Sequence, residues 1–299
     1  MLKVSVGVPV YNEEANIGQF LKSLLRQELE QVQVTEIVVV ASGCTDQTVP
    51  IVREYQKKDK RIKILEQPKR AGKTAADNLF FREAKEKILV LCCGDTILEK
   101  DCLEMLVEPF SDSKVGMTGA QIIPLNDKKS LAGFYSCFWW GLLHRVNFEF
   151  LKTGEVLAFR ALVSKIPEEI GADEVYLTDR IFSAGYQGKY VPEARVYNMG
   201  PGTIGDIIKT RRRQACHHLE FRRFGPQTYY PKTMDNFYVL KVFLRAVKWS
   251  SPKEVLFSFT CAVLETVSRF LAYFDFYLGK NYRVWSRSLT TKRLRGLKI

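Results

Sequence analysis

Apolar runs alternate with amphipathic segments through the first 125 residues of the chain. The apolar runs predict strands because they are rich in Val and Ile and are bounded by turn residues. The amphipathic segments predict helices. This alternation predicts βαβ units and an α/β fold, with a mostly parallel sheet flanked by helices. The predicted strands are Lys3–Pro9, Thr35–Ala41, Arg61–Glu66, Lys87–Cys93 and Val115–Ile123, and the predicted helices are Ala15–Gln27, Thr48–Lys58 and Lys73–Lys85.

The fourth predicted strand ends in a carboxylate. Residues 88–95 read ILVLCCGD, an apolar run typical of a strand buried on both faces, and Asp95 closes it. Ligands of open α/β sheets bind beyond the carboxyl ends of such strands. A carboxylate delivered there suits a divalent cation that holds a phosphate. The alternative is an Asp that caps the turn at Thr96–Lys100. Cys92 and Cys93, inside the run, are expected to be buried small hydrophobic residues.

The other strand ends carry polar residues as well. Tyr11 and Glu13 follow Pro9, and the second strand runs into the tight turn Ser42–Asp46, which presents backbone N–H groups to a ligand. The alternative for that turn is a simple helix cap by Thr45 or Asp46. After the third strand come three cations that could meet phosphates: Lys69, Arg70 and Lys73.

The positive charge of the chain lies in its last third. The formal net charge is +12, yet the first 208 residues hold 26 basic and 28 acidic side chains. Residues 209–299 hold 19 Lys and Arg against 5 acids. Clustered aromatic residues accompany these cations, and no nucleic-acid-binding motif is visible, so we expect a lipid surface and no nucleic acid. Seven cysteines without paired spacing predict a reducing, cytoplasmic location.

Six short motifs occur in a fixed order along the chain: VPVYNEE, SGCTDQT, AGKTAADN, GDTIL, GADEVYLTDRIFSAGY and PEARVYNMGP. In this order they resemble the family 2 glycosyltransferases with the Rossmann-like GT-A fold. The resemblance runs from Lys3 to about Gly225, and it implies a GT-A domain over residues 1–225. It also implies inverting transfer of a sugar from a nucleotide-sugar to an acceptor hydroxyl, with Mg²⁺ or Mn²⁺ as cofactor.

The resemblance also implies roles for individual residues. Asp95 would bind the metal on the donor diphosphate, while Tyr11 and Glu13 would contact the base and ribose. Arg guanidinium groups in a later helix would bond the diphosphate bidentately, although they could equally form a solvated basic face. The implied nucleotide-sugar-binding residues are Pro9, Tyr11, Glu13, Ser42, Asp46, Lys73, Gly94, Arg211, Arg212 and Arg213.

The chain departs from the family pattern at two places in the predicted donor site. Cys93 stands where the metal motif usually has its first Asp, and Ala41 and Ser42 stand where two acids are often found. The second departure leaves the base of the donor nucleotide open. The first leaves an alternative function, a non-catalytic nucleotide-sugar or lipid-binding protein on the same fold.

A pair of acids opens a later amphipathic helix. By resemblance, Asp173 and Glu174 align with an acidic pair that supplies the general base, which takes the proton from the acceptor hydroxyl. Their order is reversed relative to the family, so either could be the base; position favours Glu174. The alternative is stabilisation of the helix start by its dipole. His218 is a possible further metal ligand, and Asp179 is expected in a surface ion pair.

The last 74 residues, 226–299, predict a separate helical extension. Its first helix, Asn236–Trp249, carries three cations beside apolar residues, as helices lying in a membrane interface do. Its second, Lys253–Leu278, has an apolar run shorter than the roughly 20 residues that a span requires. We therefore expect the protein to bind peripherally to the inner face of an anionic membrane. The aromatic segment Phe134–Trp140 could then form a wall that contacts a sugar or lipid-linked acceptor. Further cations follow at Lys292, Arg293, Arg295 and Lys298.

Overall fold

The computed structural model describes residues 1–294 except 153, 227, 229–231, 281, 285–288, 292 and 293. The cations predicted at Lys292, Arg293, Arg295 and Lys298 lie outside the described residues. Within the described part, strands and helices alternate as the sequence predicts. The strands are β1 Leu2–Val10, β2 Val32–Ser42, β3 Ile62–Gln67, β4 Ile88–Cys92, β5 Thr96–Leu98, β6 Val115–Pro124, β7 Val156–Arg160 and β8 Gln187–Asn198. The helices are α1 Ile17–Leu25, α2 Thr48–Lys58, α3 Lys73–Glu83, α4 Cys102–Val107, α5 Leu131–Asn147, α6 Asp173–Ser183, α7 Ile204–Phe224, α8 Asn236–Ala246 and α9 Pro252–Tyr277.

The described strands form one sheet in the order β3-β2-β1-β4-β7-β6-β8-β5. Pairs β1–β2, β1–β4, β2–β3 and β6–β8 are parallel. Strands β7 and β5 run against their neighbours, so the sheet is mixed but mostly parallel. The sequence does not predict these two reversed strands. Strand β7 matters for the site because it lies directly beside β4.

Side chains alternate between the two faces of the sheet. Along β4, Val90 and Cys92 face a core that includes Phe20 of α1, while Leu89 and Leu91 face the opposite core. Because both faces are buried, the run is apolar throughout, as a central strand requires. Cys92 is buried as predicted. Cys93 is not, because the strand has ended and its side chain lines a cavity.

The C-terminal helices α8 and α9 pack against α5 and α7. A third apolar cluster joins Phe134 and Tyr135 of α5, Ile207 of α7 and Cys261 of α9. Phe138 of α5 also contacts Phe243 of α8, with ring centroids 5.8 Å apart. The predicted aromatic segment Phe134–Trp140 thus lies partly in the core and partly along the wall of the cavity described below.

Within the described residues, α9 is the one helix long and apolar enough to cross a membrane by length and composition, and an 18-residue window of it has a mean hydropathy of 1.5. One side of α9 is polar, however. Glu265 bonds Arg211 of α7, and Asp275 bonds Arg212. The helix is therefore docked along this side, and its opposite side is exposed.

The expectation for Asp179 is wrong. Its side chain is buried in α6 and accepts a hydrogen bond from Thr228 Oγ1 at 2.5 Å. It lies on the inward face of the helix, next to the buried Thr178, and joins α6 to the segment after α7, so it is not at the surface.

Candidate active site

One large cavity, of about 1550 Å³, lies beyond the carboxyl ends of β1, β2 and β4. The starts of α3 and α6, the middle of α7 and one side of α9 complete its wall. This is where an open α/β sheet binds its ligands. Among the predicted site residues, the cavity is lined by Pro9, Tyr11, Glu13, Ser42, Lys73, Gly94, Asp95, Asp173, Glu174, Arg211, Arg212, Arg213 and His218.

A cluster of possible metal ligands lies at the end of β4. Ligand atoms of Cys93, Asp95 and Glu155 all lie within 4.8 Å of one another. The backbone holds two of these residues together, because the Cys93 N–H donates to the Glu155 carbonyl at 3.0 Å. Gly94 keeps the turn close to β1: a Cβ there would lie 2.7 Å from Val10 Cγ1. Residues Thr96–Leu98 form strand β5, so the segment after Asp95 is not the turn that the capping alternative expects.

The predicted acid pair occupies the start of α6, on the same cavity. Lys73 bonds both Asp173 and Asp77, the latter at 3.1 Å. Lys152 bonds Glu174 at 3.0 Å. Each acid of the pair thus has its own lysine, and the helix start adds favourable backbone dipoles to both.

The two acids differ in proton affinity. Burial raises the pKa of Asp173, and the charge of Lys73 only partly opposes that effect. Burial acts in the same direction on Glu174, but Lys152 and His218 outweigh it and lower the pKa to about 2. Burial also raises the pKa of Asp77, to about 7. Glu174 is therefore ionised at neutral pH, and its side chain is the more accessible of the pair.

The model of glycosyl transferase family 2 matches residues 5–168, more than half of the chain. The chain belongs to glycosyl transferase family 2. The probable glycosyltransferase YdaM of Bacillus subtilis is 28% identical over 67% of this chain and 51% of its own length. The poly-beta-1,6-N-acetyl-D-glucosamine synthase of Staphylococcus epidermidis is 24% identical over 75% of this chain and 57% of its own length. The chain thus spans about half the length of these curated relatives.

Two solved structures share the GT-A fold of this family 2 chain. The mannosyltransferase PcManGT from Pyrobaculum calidifontis, in complex with GDP-Man and Mn²⁺, superposes with a TM-score of 0.66 at 21% identity, covering 93% of this chain and 88% of that one. S. aureus TarS 1–349 in complex with UDP-GlcNAc has a TM-score of 0.53 at 15% identity, covering 94% and 93%. The predicted fold class and family are confirmed.

The predicted nucleotide-binding loops of the family 2 domain are interlocked. Arg70 lies over the Tyr11 ring, 3.8 Å from its centroid, so one face of that ring is covered. Ser42 Oγ accepts from the Ala71 N–H at 3.1 Å. Glu13 is buried, and its carboxylate accepts from Asn16 Nδ2 at 3.2 Å. These contacts fix the loops at the cavity wall.

Asp46 does not line the cavity. Its carboxylate accepts from the Thr48 N–H at 3.0 Å and from the Glu14 N–H at 3.2 Å. It therefore caps the start of α2 and joins that turn to the loop after β1. The geometry agrees with the helix-cap alternative. The position of Asp46 outside the cavity lining does not support the predicted direct contact with the donor.

The three arginines of α7 have different surroundings. Arg211 and Arg212 form ion pairs with carboxylates of α9, so a diphosphate would compete with these carboxylates for their guanidinium groups. Arg211 also lies over the Trp139 ring, 3.7 Å from its centroid. Arg213 also lines the cavity, where burial lowers its pKa to about 10 against the opposing charges of Glu155, Glu174 and Asp173. Of the three, Arg213 is the one whose electrostatic interactions are with acids of the site.

His218 lies near the acid pair and outside the described three-residue ligand cluster. Burial lowers its pKa to about 3, and the charge of Lys152 acts in the same direction. The neighbouring His217 is buried against Gly171, where a Cβ would lie 2.4 Å from the imidazole ring. A metal-ligand role for His218 stays a prediction.

The sequence does not predict four residues of the site: Glu155, Asp77, Lys152 and Asn198. Glu155 comes beside Asp95 only because β7 pairs with β4, and Asn198 comes beside Glu155 from the end of β8. Asp77 had a local signal, since it lies one helical turn after Lys73 and on the same side of α3.

Proposed function

We propose that this protein is an inverting glycosyltransferase that moves a sugar from a nucleotide-sugar to an acceptor hydroxyl with the help of a divalent cation. The observation that carries the proposal is that the cluster at Asp95 and the acid pair at α6 line the same cavity. Arg213 lines the same cavity and interacts electrostatically with acids of both groups. In-line displacement needs leaving-group stabilisation and a proton acceptor within one site, and this arrangement can supply both.

The residues present fit a divalent cation. Asp95 and Glu155 offer carboxylate oxygens in close proximity, which suits Mg²⁺ or Mn²⁺. Such a cation, when bound, offsets the negative charge that develops on the departing diphosphate. Gly94 allows the backbone of this turn to approach β1 closely, and Arg213 adds a fixed positive charge on the same side.

Glu174 is the proposed general base. Its carboxylate is ionised at neutral pH, is more accessible than Asp173 and occupies the position expected for the base. As the acceptor oxygen attacks the anomeric carbon, its proton passes to Glu174. The bond from that carbon to the diphosphate breaks, and the nucleoside diphosphate leaves. Asp173, held by Lys73, positions the start of α6.

The nucleotide end of the donor belongs at the loops after β1 and β2. Pro9, Tyr11 and Ser42 line the cavity there, while Lys73 and Arg213 bring positive charge to its inner end. The relatives solved with GDP-Man and UDP-GlcNAc support a nucleotide-sugar donor. The sugar and the base are left to experiment.

The C-terminal extension, residues 226–299, is proposed to bind an anionic membrane surface, which implies a cytoplasmic, membrane-peripheral enzyme. Exposed apolar side chains recur along α9 at helical spacing and form one stripe: Leu256, Phe259, Val263, Val267, Phe270, Phe274 and Tyr277. Exposed cations lie nearby on α8, in the loop after it and at the start of α9: Lys241, Arg245, Lys248 and Lys253. An apolar stripe with flanking cations is typical of a helix in the membrane interface.

A lipid-linked acceptor follows from the same geometry. Phe270 is exposed on the apolar stripe of α9 and also lines the cavity, together with Tyr273. The cavity therefore opens beside the surface proposed to contact the membrane. Trp139 and Trp140 of α5 supply an aromatic wall against which an acceptor sugar can stack.

A thermal-shift panel of nucleotide-sugars, each with Mn²⁺ or with EDTA, tests donor and metal together. A donor that binds raises the melting temperature by mass action. For the wild type, we expect donors of one nucleotide class to raise the melting temperature with Mn²⁺ but not with EDTA. Asp95→Ala should abolish both this shift and the release of nucleoside diphosphate. Glu108→Ala, an exposed acid outside the cavity lining, is the matched control. Full turnover by Asp95→Ala would refute the metal assignment.

A further inference from the structure

We propose that the thiol of Cys93 is a direct ligand in the metal centre, so that the site selects thiophilic divalent cations such as Mn²⁺, Zn²⁺ and Cd²⁺ over Mg²⁺. This inference deepens the proposed function, since it concerns the cation of the same site. It also assigns a chemical role to the position where the family pattern usually has an acid.

The position of Cys93 suits a ligand. It lies just past the end of β4, only partly buried, with its side chain on the cavity. Its sulfur lies within 4.8 Å of ligand atoms of Asp95 and Glu155. The neighbouring Cys92 points into the apolar core instead. Two adjacent cysteines thus have opposite environments, and only the second can meet a cation.

The backbone around the cluster is held by several hydrogen bonds. Cys93 donates its N–H to the Glu155 carbonyl at 3.0 Å, and its own carbonyl accepts from Thr96 Oγ1 at 2.8 Å. Three donor side chains from two paired strand ends are therefore set in place before any cation arrives. Preorganisation of this kind is what a metal site requires of its ligands.

A separate observation at Asn198 points to a ligand in the same place. Asn198 lines the cavity with only 6% of its surface exposed, and its Nδ2 is 3.5 Å from Glu155 Oε1. Its Oδ1 is buried and makes no hydrogen bond within the described part of the chain. Buried polar atoms are normally satisfied. The side chain that carries this unsatisfied oxygen lies beside Glu155, which suits a site completed by a cation or by the water that the cation carries.

The donor set decides the selectivity. Carboxylate and amide oxygens serve Mg²⁺ and Mn²⁺ alike, whereas a thiolate favours softer metals and those later in the divalent series. When the metal–sulfur bond forms, the thiol proton leaves to solvent, and the resulting thiolate supplies the negative charge that an Asp would carry. The exchange of Asp for Cys thus preserves the charge of the loaded site and changes its metal preference.

Titration of the whole protein with Cd²⁺ alone, followed by ultraviolet thiolate-to-cadmium charge-transfer absorption, tests the ligand directly. We expect a saturable band in the wild type and in Cys137→Ser, a control on another partly buried cysteine, and its loss in Cys93→Ser. Asp95→Asn and Glu155→Gln keep the thiol and should weaken Cd²⁺ binding about tenfold or more. A band that persists in Cys93→Ser, or no band in the wild type, would overturn the assignment.

Turnover provides a second readout. In Cys93→Asp, the ratio of kcat/KM with Mn²⁺ to that with Mg²⁺ should fall at least about tenfold, because an all-oxygen site accepts Mg²⁺ well. An unchanged ratio would contradict thiol ligation. If Mn²⁺-dependent transfer occurs without a Cd²⁺–thiolate band, the ligand assignment alone fails. If the band forms but no nucleotide-sugar is turned over, the proposed function fails and the metal site stands.

Discussion

The guanidinium group of Arg211 makes two hydrogen bonds with the carboxylate of Glu265, at 2.7 and 2.9 Å. Both side chains are largely buried, and Arg269 adds a third bond to the same carboxylate at 2.9 Å. This pair joins the Arg-rich helix α7 to α9. It turns the polar side of α9 inward and leaves its apolar stripe outward.

Removing Glu265 should loosen this joint. Glu265→Ala leaves Arg211 buried without its acid, and loss of one partner of a buried pair costs about 3–5 kcal/mol. The exposed pair Lys248–Glu254 is the control, since Glu254→Ala should cost no more than about 1 kcal/mol. Urea unfolding of both variants measures the two free energies. Equal losses would contradict a stabilising role for the buried pair.

The stabilisation by the Arg211–Glu265 ion pair should decrease at acidic pH. Burial acts to raise the pKa of Glu265, but Arg211 and Arg269 outweigh it and lower the pKa from its ordinary 4.5 to about 2. A carboxyl whose folded pKa is depressed contributes stability above its unfolded pKa and loses that contribution as the pH falls through the folded value. The free energy of unfolding of the wild type minus that of Glu265→Gln should therefore shrink between about pH 4.5 and 2. A difference that stays constant over this range would refute the assignment.

The apolar stripe of α9 should control membrane binding. Leu256 and Val263 are 65% and 60% exposed and do not line the cavity. Replacing both by Ser removes apolar contact worth about 1.5–3 kcal/mol per side chain, so vesicle affinity should fall at least about tenfold. Flotation with anionic liposomes measures it, and added salt should weaken binding because it screens the cations of α8.

Leu162→Ser controls for loss of any exposed apolar residue, because Leu162 is exposed but lies before α6, outside the extension. It should float as the wild type does. Equal loss of binding in both variants, or no flotation of the wild type at low salt, would contradict a specific membrane surface on α9.

The centre of β1 should not tolerate a side chain at Gly7. A Cβ there would lie 2.3 Å from the ring of Phe80, which is fully buried on α3. Gly7→Ala should cost about 1–3 kcal/mol through overpacking. Gly141→Ala is the matched control, since it has open space on α5 and should stabilise by up to about 1 kcal/mol. Chemical unfolding of the two variants checks both signs.

The sequence predicted the first part of the fold because its elements follow one another locally. Strands β1 to β4 alternate with α1 to α3, and the apolar pattern of each element can be recognised within a short stretch of sequence. The reversed strands escape such reading. Strand β5 has only three residues, and β7 forms its pairs with β4 and β6, both distant in the chain.

The site residues likewise divide into those that local sequence features predict and those that only long-range pairing brings together. Asp95, Asp173 and Glu174 stand at element ends that the sequence marks, and all three line the cavity. Glu155 carries no such mark, because only the pairing of β7 with β4 brings it to Asp95. Likewise, nothing near Arg211 or Arg212 in the chain indicates that acids of α9 face them. Long-range pairing of charges depends on the finished fold.

The reaction itself offers the most direct measurement: the rate of sugar transfer at saturating donor and Mn²⁺ in Glu174→Gln and Asp173→Asn beside the wild type. A positioned base contributes about 10²–10⁴-fold, so Glu174→Gln should lose at least about 100-fold in kcat while retaining the donor-induced thermal shift. Asp173→Asn, which leaves Lys73 with Asp77, should lose less activity and lower the melting temperature. Transfer at the full wild-type rate by Glu174→Gln would contradict the account.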